Sequence, residues 1–396
     1  MGDRTNLGEK RRTWNYRFGQ YLKQLREERR LRLDQVEELS IPYQQRISPS
    51  YLSRCENGIA DISLERLSIL SKIYRTDIGL LVDRREQERE LASVVPVDVT
   101  DVTFEELRRR GMEFVERGEL KAAFGYFRAA EERAALETGD ARSENVAKAR
   151  LSMAITLVRM ARNKLAKEEA ESALALMPAG SEDRHRTILV IAMCHLYLGN
   201  VNMASILLES LENKTSGMSA KDRADFLLLR GNVQFSRKQY REAVKSYREA
   251  SALYKEARGR TGQSRTLLNA ANAYGKLRDY DRGIRQALRA LELARSLDDK
   301  QEIARDLQAI GTLQYRSGDH RAARATLYDC IEIARKGDYH DFLFAAYFYL
   351  WRIELAEGGK AAPSIERALR SLLPKLDEEL EEAEEFRKSI GERRDE

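Results

Sequence analysis

Proline is scarce in this chain, six among 396 residues. A proline inside a helix removes a donor and crowds the preceding turn, so its scarcity leaves room for long helical stretches. With 42% apolar and 34% charged residues, the composition fits a soluble, mostly helical protein. Long apolar runs are also missing. No stretch approaches the roughly 18 residues a membrane span needs, and the charged N-terminus has no signal-peptide core. The expectation is a cytoplasmic protein without membrane contact. Cysteine is limited to Cys55, Cys194 and Cys330, an odd number lying far apart. That excludes a disulfide framework and a metal knuckle, and it fits a reducing compartment.

The four histidines, His185, His195, His320 and His340, have no metal-ligand spacing. His195 reads as a helix-packing residue. The one glycine-bearing loop of interest, GRTGQS at 259–264, lacks the lysine of a phosphate-cradling P-loop. The aromatic run FLFAAYFYLW at 342–351 suits a buried helix better than a cofactor box. No enzyme, cofactor or metal is expected.

An excess of one charge is absent too, since 69 basic residues nearly cancel 64 acidic ones and leave +5. A uniformly basic nucleic-acid coat and an acidic disordered chain are both excluded. The balance is uneven along the chain. Residues 1–54 hold 12 Lys and Arg against 7 Asp and Glu, and the remainder holds 57 of each sign. Charge alone leaves two readings open, a solvated arginine-rich helix or a footprint for a polyanion.

The N-terminal residues favour the second reading. NYRFGQYLKQLREERRL at 15–31 places Phe18, Leu22, Leu25 and Leu31 on one helical face. LDQVEELS predicts a short second helix with Val36 and Leu39 inward. ISPSYLSRCENG predicts a third, with Ser48 as N-cap, Pro49 at the first helical position and Gly58 as the stop. SLERLSILSKIYRTDIGLLV predicts a fourth, its buried stripe being Leu64, Leu67, Leu70 and Ile73.

RxxRRLRLDQVEEL followed by SPSYLSRCENG resembles the lambda-repressor-like (Xre) helix-turn-helix family over about 17–82. The resemblance implies an ion pair between Arg26 and Glu56 that fixes the domain. It also implies a recognition helix from Pro49 to Glu56 entering the major groove of double-stranded DNA. Ser50 and Arg54 lie one turn apart and, with Pro49, are the expected base-contacting residues. Arg54 leads, because a guanidinium bonds two acceptors of guanine at once. Ser48, Tyr51 and Asn57 are the expected phosphate contacts. The chain departs from the family in two places. About five extra residues lengthen the turn at 41–47, where Arg46 and Gln45 either gain a phosphate contact or merely extend helix 2. Leu33 stands where a phosphate-contacting glutamine is common. A degenerate domain that no longer binds DNA stays open as an alternative.

Residues 92–103, ASVVPVDVTDVT with Pro96, read as a linker after a helix-turn-helix domain at 14–91. From Phe104 a second pattern recurs at about 40 residues. Its clearest copy is Gly111, Ala123, Phe127 and Ala130. The same offsets recur from Ala154, Ala192, Gly231, Ala271 and Gly311, and a weaker seventh copy ends at Ala361, Ile365 and Ala368. This resembles the tetratricopeptide repeat (TPR), with units longer than usual. It implies an all-α chain: a helix-turn-helix domain, then a right-handed TPR-type α-solenoid of about seven helix pairs over 104–373. An acidic capping helix is expected at 374–396, a dimerisation helix being the alternative.

Such an array offers a groove rather than catalytic chemistry. By resemblance, the position after the small residue faces it, which here means Asn232 and Asn272, with Asn269 one turn earlier. An amide both donates and accepts, so it can hold a peptide backbone without demanding a sequence. Arg265, Arg305, Gln308, Tyr315 and Lys276 could join them, the plainer reading being solvated polar residues on an open face. The combination is similar to peptide-sensing bacterial regulators. It implies a DNA-binding transcription regulator, acting as a homodimer, whose array binds a peptide or protein. The alternative is an interaction scaffold or partner-protein inhibitor.

Overall fold

The computed structural model describes residues 14–43, 45–91, 102–376 and 380–391. The expected linker, with Pro96, falls outside the described residues except at 102–103, as do 377–379 and 392–396 of the expected cap. Twenty α-helices and two short 3-10 turns, with no strand among the described residues, make an all-α architecture. The chain divides into two compact units at 203/204.

The first unit opens with five helices: α1 (Trp14–Glu28), α2 (Leu33–Ser40), α3 (Pro49–Glu56), α4 (Leu64–Tyr74) and α5 (Ile78–Leu91). Phe18, Leu22, Val36, Ile47, Leu52, Leu67, Leu70, Tyr74 and Leu81 form their core. Local chemistry sets the boundaries. Ser48 caps α3 by accepting from the Tyr51 N–H with Pro49 behind it, and Ser63 caps α4 in the same way. The lengthened turn is anchored rather than loose. Ser40 Oγ accepts from the Ile47 N–H at 2.9 Å, and Ile47 is fully buried. Two expected core positions face outward instead. Leu39 is 47% exposed because Val36 and Ser40, one turn apart, take the buried face of α2. Leu64 is 55% exposed because it is the first residue after the cap, ahead of the Leu67, Leu70 and Tyr74 stripe.

Helix pairs follow. In the first unit they are α6 (Phe104–Glu116) with α7 (Leu120–Ala134) and α8 (Asp140–Arg159) with α9 (Asn163–Leu176), followed by α10 (Asp183–Tyr197); α11 spans Val201–Glu212. In the second they are α12 (Ala220–Ser236) with α13 (Tyr240–Glu256) and α14 (Arg260–Lys276) with α15 (Tyr280–Ser296). They continue with α16 (Lys300–Ser317) and α17 (His320–Lys336), then α18 (His340–Glu357) and α19 (Ala362–Leu372). A last helix, α20, spans Glu381–Ser389.

The small residues of the repeat pattern are where paired helices touch. A Cβ added at Gly111 would lie 2.5 Å from the Phe127 ring. At Gly231 it would meet the Tyr247 ring at 2.5 Å, and at Gly311 it would meet Leu327 at 2.6 Å. A bare backbone on the first helix thus receives the large residue of the second, and close packing leaves no room for more.

Within the first unit, the five-helix head is fastened to the first two helix pairs by buried charge. Arg84 on α5 donates to Glu168 and Glu169 on α9, each at 2.8 Å, and the Tyr21 hydroxyl donates to Glu168 at 2.6 Å. Arg128 on α7 takes both oxygens of Glu88 at 2.9 and 2.7 Å. Arg162 reaches Glu90 at 2.8 Å, and Lys164 reaches Asp77 at 3.0 Å. Burial alone would push the Glu169 carboxyl up, but Arg84 and Arg150 beside it hold it below the usual range. Its contribution is therefore present above the unfolded carboxylate pKa and is lost as pH falls through the lower folded value.

Arg84→Ala should strand two carboxylates in the interface, a penalty of roughly 3–5 kcal/mol that the chain relieves by releasing the head. Trp14 fluorescence in a Trp351→Phe background reports the head, so its urea transition should move to lower concentration. A shift worth less than about 0.5 kcal/mol would show that these ion pairs do not hold the head.

Candidate nucleic-acid interface and repeat face

One ion pair holds the third helix from behind. Arg26 donates from Nε and Nη2 to the two carboxylate oxygens of Glu56 at 2.7 and 2.9 Å, and from Nη1 to the Leu31 carbonyl at 2.8 Å. Gln20 donates to the Glu56 carbonyl at 2.9 Å. The two charged side chains are only 10% and 4% exposed, and the bond to Glu56 holds the guanidinium above its ordinary pKa. A desolvated, bidentate pair of this kind fixes the angle between α1 and α3 more than it adds stability. Gly19 lets the two helices cross at backbone distance, since a Cβ there would sit 2.2 Å from the Cys55 carbonyl oxygen.

The opposite side of α3 is open. Ser50 and Arg54 are exposed, and among the described residues neither side chain is hydrogen-bonded or ion-paired. Pro49 starts the helix beside them, half-buried. The other sequence-derived contacts are engaged within the domain. Ser48 Oγ accepts from the Tyr51 N–H at 3.3 Å, and the Tyr51 hydroxyl donates to the Asp61 carbonyl at 2.9 Å. The Arg66 guanidinium lies 4.2 Å above the Tyr51 ring. Asn57 Nδ2 donates to the Ser53 carbonyl at 2.8 Å, and Arg46 pairs with Glu37 at 2.9 Å.

In the second unit, the first helices bring several of the expected groove residues together. Asn232 Oδ1 accepts from the Tyr247 hydroxyl at 2.9 Å and from Asn269 Nδ2 at 3.0 Å, whereas Asn272 is exposed. Arg265 and Arg305, one repeat apart, converge on Glu302 at 3.1 and 2.8 Å. Gln308 donates to Thr312 Oγ1 at 2.9 Å. Tyr315 is separate from these clusters, stacked on His320 with centroids 5.5 Å apart.

Sequence reasoning passed over Glu302 and Asp306, as well as Arg316, Tyr349 and Arg352. Asp306 was detectable as an acid inside the apolar stripe Ile303, Leu307 and Ile310. It is 1% exposed, and neither carboxylate oxygen has a hydrogen-bond partner among the described residues. Burial, and then the neighbouring charge of Glu302, push its pKa up to about 8. It is therefore protonated at neutral pH. Arg352 stands one repeat after Thr312, as Thr312 does after Asn272, so the repeat register itself marked it.

Comparison with known proteins separates the two parts. The helix-turn-helix domain model matches residues 17–84, and the tetratricopeptide repeat model matches residues 262–336. The chain thus carries an Xre-like helix-turn-helix domain and, further along, tetratricopeptide repeats. No curated protein matches it. Among solved structures, the apo form of RapI is 18% identical, with 73% of this chain and 81% of that chain covered and a TM-score of 0.55. A Rap protein complexed with Competence and Sporulation Factor is 16% identical, covering 90% and 98%, also at 0.55. The STAND protein PH0952 from Pyrococcus horikoshii, described as having a tetratricopeptide repeat sensor, is 13% identical, covering 91% and 62%, at 0.51. At such identities the likeness is one of fold. Among the described residues, no helix is long and apolar enough to cross a membrane.

Asp306 makes the second unit sensitive to base. Its folded pKa lies above its unfolded one, so its contribution is complete below the unfolded value, near 4, and is lost as pH rises toward 8. Asp306→Asn keeps the shape and removes the titration. The variant should resist urea better than the parent at pH 8.5, by on the order of 1–3 kcal/mol, and gain little at pH 5. Parallel pH profiles for the two proteins would contradict this account.

Proposed function

We propose that the protein is a sequence-specific DNA-binding transcription regulator. Its repeat array receives a peptide or protein, and it acts as a homodimer on half-sites about one DNA turn apart. The observation that carries the reading is the exposed, unpartnered pair Ser50 and Arg54 on a helix capped by Ser48 and held by Arg26–Glu56. Free donors one turn apart on a fixed short helix are what base-edge reading in the major groove requires. Ser48, Tyr51, Asn57 and Arg46 would meet phosphates with whatever donor capacity their internal bonds leave. Asn232, Asn269, Asn272, Arg265, Arg305, Gln308 and Tyr315 would face the array's ligand. Since the head is fastened to the first repeats, any rearrangement of those repeats would move the head with them. The fold likeness to a Rap protein solved with Competence and Sporulation Factor supports a peptide as ligand.

A second reading, a partner-binding inhibitor with a degenerate head, draws on the inward bonds of Tyr51 and Asn57, which tie up two expected phosphate contacts. DNA titrations separate the two. On a selected operator, Arg54→Ala should cost about 1–3 kcal/mol, while binding to unrelated DNA changes much less. Affinity should also fall steeply with salt. An equal loss on both DNAs would remove the direct-reading role, and a salt-independent interaction would favour the inhibitor.

A further inference from the structure

The C-terminal helix does not fill the place of a simple cap. In a stack of helix pairs, the next helix packs beside the last second helix, here α19. Instead α20 packs against α18, and a cavity of about 440 Å³ lies between α18, α19 and the end of α20, with Leu355, Arg370 and Ile390 on its wall. Leu355 remains 52% exposed.

Its contacts run backward across the first helices. Glu381 pairs with Lys276 on α14 at 3.3 Å, two repeats upstream of α18. Glu382 accepts from the Tyr349 hydroxyl at 2.9 Å, and that hydroxyl accepts from Arg316 on α16 at 3.3 Å. Glu385 pairs with Arg352 at 3.4 Å. Cations from three successive first helices thus answer three glutamates of one short helix, Lys276 and Arg352 directly and Arg316 through the Tyr349 hydroxyl. Between them sits an aromatic anchor. Phe386 is fully buried, edge-on to Trp351 at 5.2 Å and to Phe344 at 5.9 Å, with Ala383 beside it at 1% exposure. The polar contacts are part-exposed, with Glu381 64% and Arg352 42% accessible, so the charges select while the aromatic ring anchors.

We propose that α20 is an internal stand-in for a ligand. It occupies a cation-and-aromatic strip on the first helices of the last three pairs, and that strip binds an acidic, amphipathic helical peptide supplied in trans when α20 leaves. The inference rests on the reading of the array as a receiver and gives its ligand a chemistry: glutamates one turn apart around a buried aromatic. It also makes α20 a competitor that sets the threshold for binding, since a site filled in cis binds a trans ligand only in the fraction of molecules whose plug is out.

The test uses a labelled synthetic peptide of residues 380–391, LEEAEEFRKSIG, titrated by fluorescence anisotropy against the full chain. Phe386→Asp should dislodge α20, and the peptide should bind this variant at least tenfold more tightly than it binds the unaltered protein. Adding Lys276→Glu and Arg316→Glu to the variant should erase the gain. Should circular dichroism show Phe386→Asp unfolded, Glu381→Lys with Glu382→Lys loosens the plug without touching the anchor, and the same tighter binding is expected. The proposal is overturned by no binding to any folded variant, or by binding indifferent to the charge reversals. Dimerisation of the unaltered protein that Lys276→Glu abolishes would assign the strip to a second copy's α20, and would overturn it too. The readout contains no DNA, so its failure leaves the DNA-binding reading standing, and a failure to bind DNA leaves the peptide site standing.

Discussion

Arg84 is the residue that makes the head part of the array. A guanidinium withdrawn from water is tolerable only with its charge answered, and Glu168 and Glu169 answer it from a neighbouring helix pair. Tyr21, Arg128 and Glu88 extend the same lattice. An interface of this kind gains little net energy, because water would serve the same groups after separation. What it supplies is a single geometry. The head rides on the first repeats in a defined orientation, and its third helix inherits that orientation through Arg26 and Glu56. A hydrophobic interface of equal area would hold harder and discriminate less, which suits a fixed joint better than a biased one.

The repeats obey a different constraint. Three of the pairs depend on a backbone bare enough to receive a ring or a leucine: Gly111 receives Phe127, Gly231 receives Tyr247 and Gly311 receives Leu327. Once that contact fixes the two helices, the polar positions of the first helix fall in register from one unit to the next. Asn232, Asn272, Thr312 and Arg352 are the result. Chemistry can then vary along the face without disturbing the packing beneath it.

Much of this was legible in the sequence, because the signals were local or periodic. Ser48 and Pro49 mark the start of the third helix whatever surrounds them, and the small residues recur at fixed offsets. The failures are equally physical. Leu39 and Leu64 satisfy helical spacing but sit beside a cap or at a helix end, where the buried face is decided by neighbours distant in sequence. Arg84 looks like any arginine of a charged helix, and nothing near it in the sequence names Glu168. The placement of α20 against α18, rather than α19, is likewise a tertiary outcome. Periodicity says only that such a helix is amphipathic. Asp306 is a buried acid that its own apolar stripe, Ile303, Leu307 and Ile310, could have betrayed.

The central claim is that the exposed face of α3 reads DNA sequence. Sequencing the genomic fragments recovered with the purified protein, in parallel with Arg54→Ala, addresses it most directly. The account predicts a shared motif of paired half-sites among fragments recovered with the parent, lost or relaxed at one position of each half-site in the variant. Random recovery across the genome by the parent would contradict it.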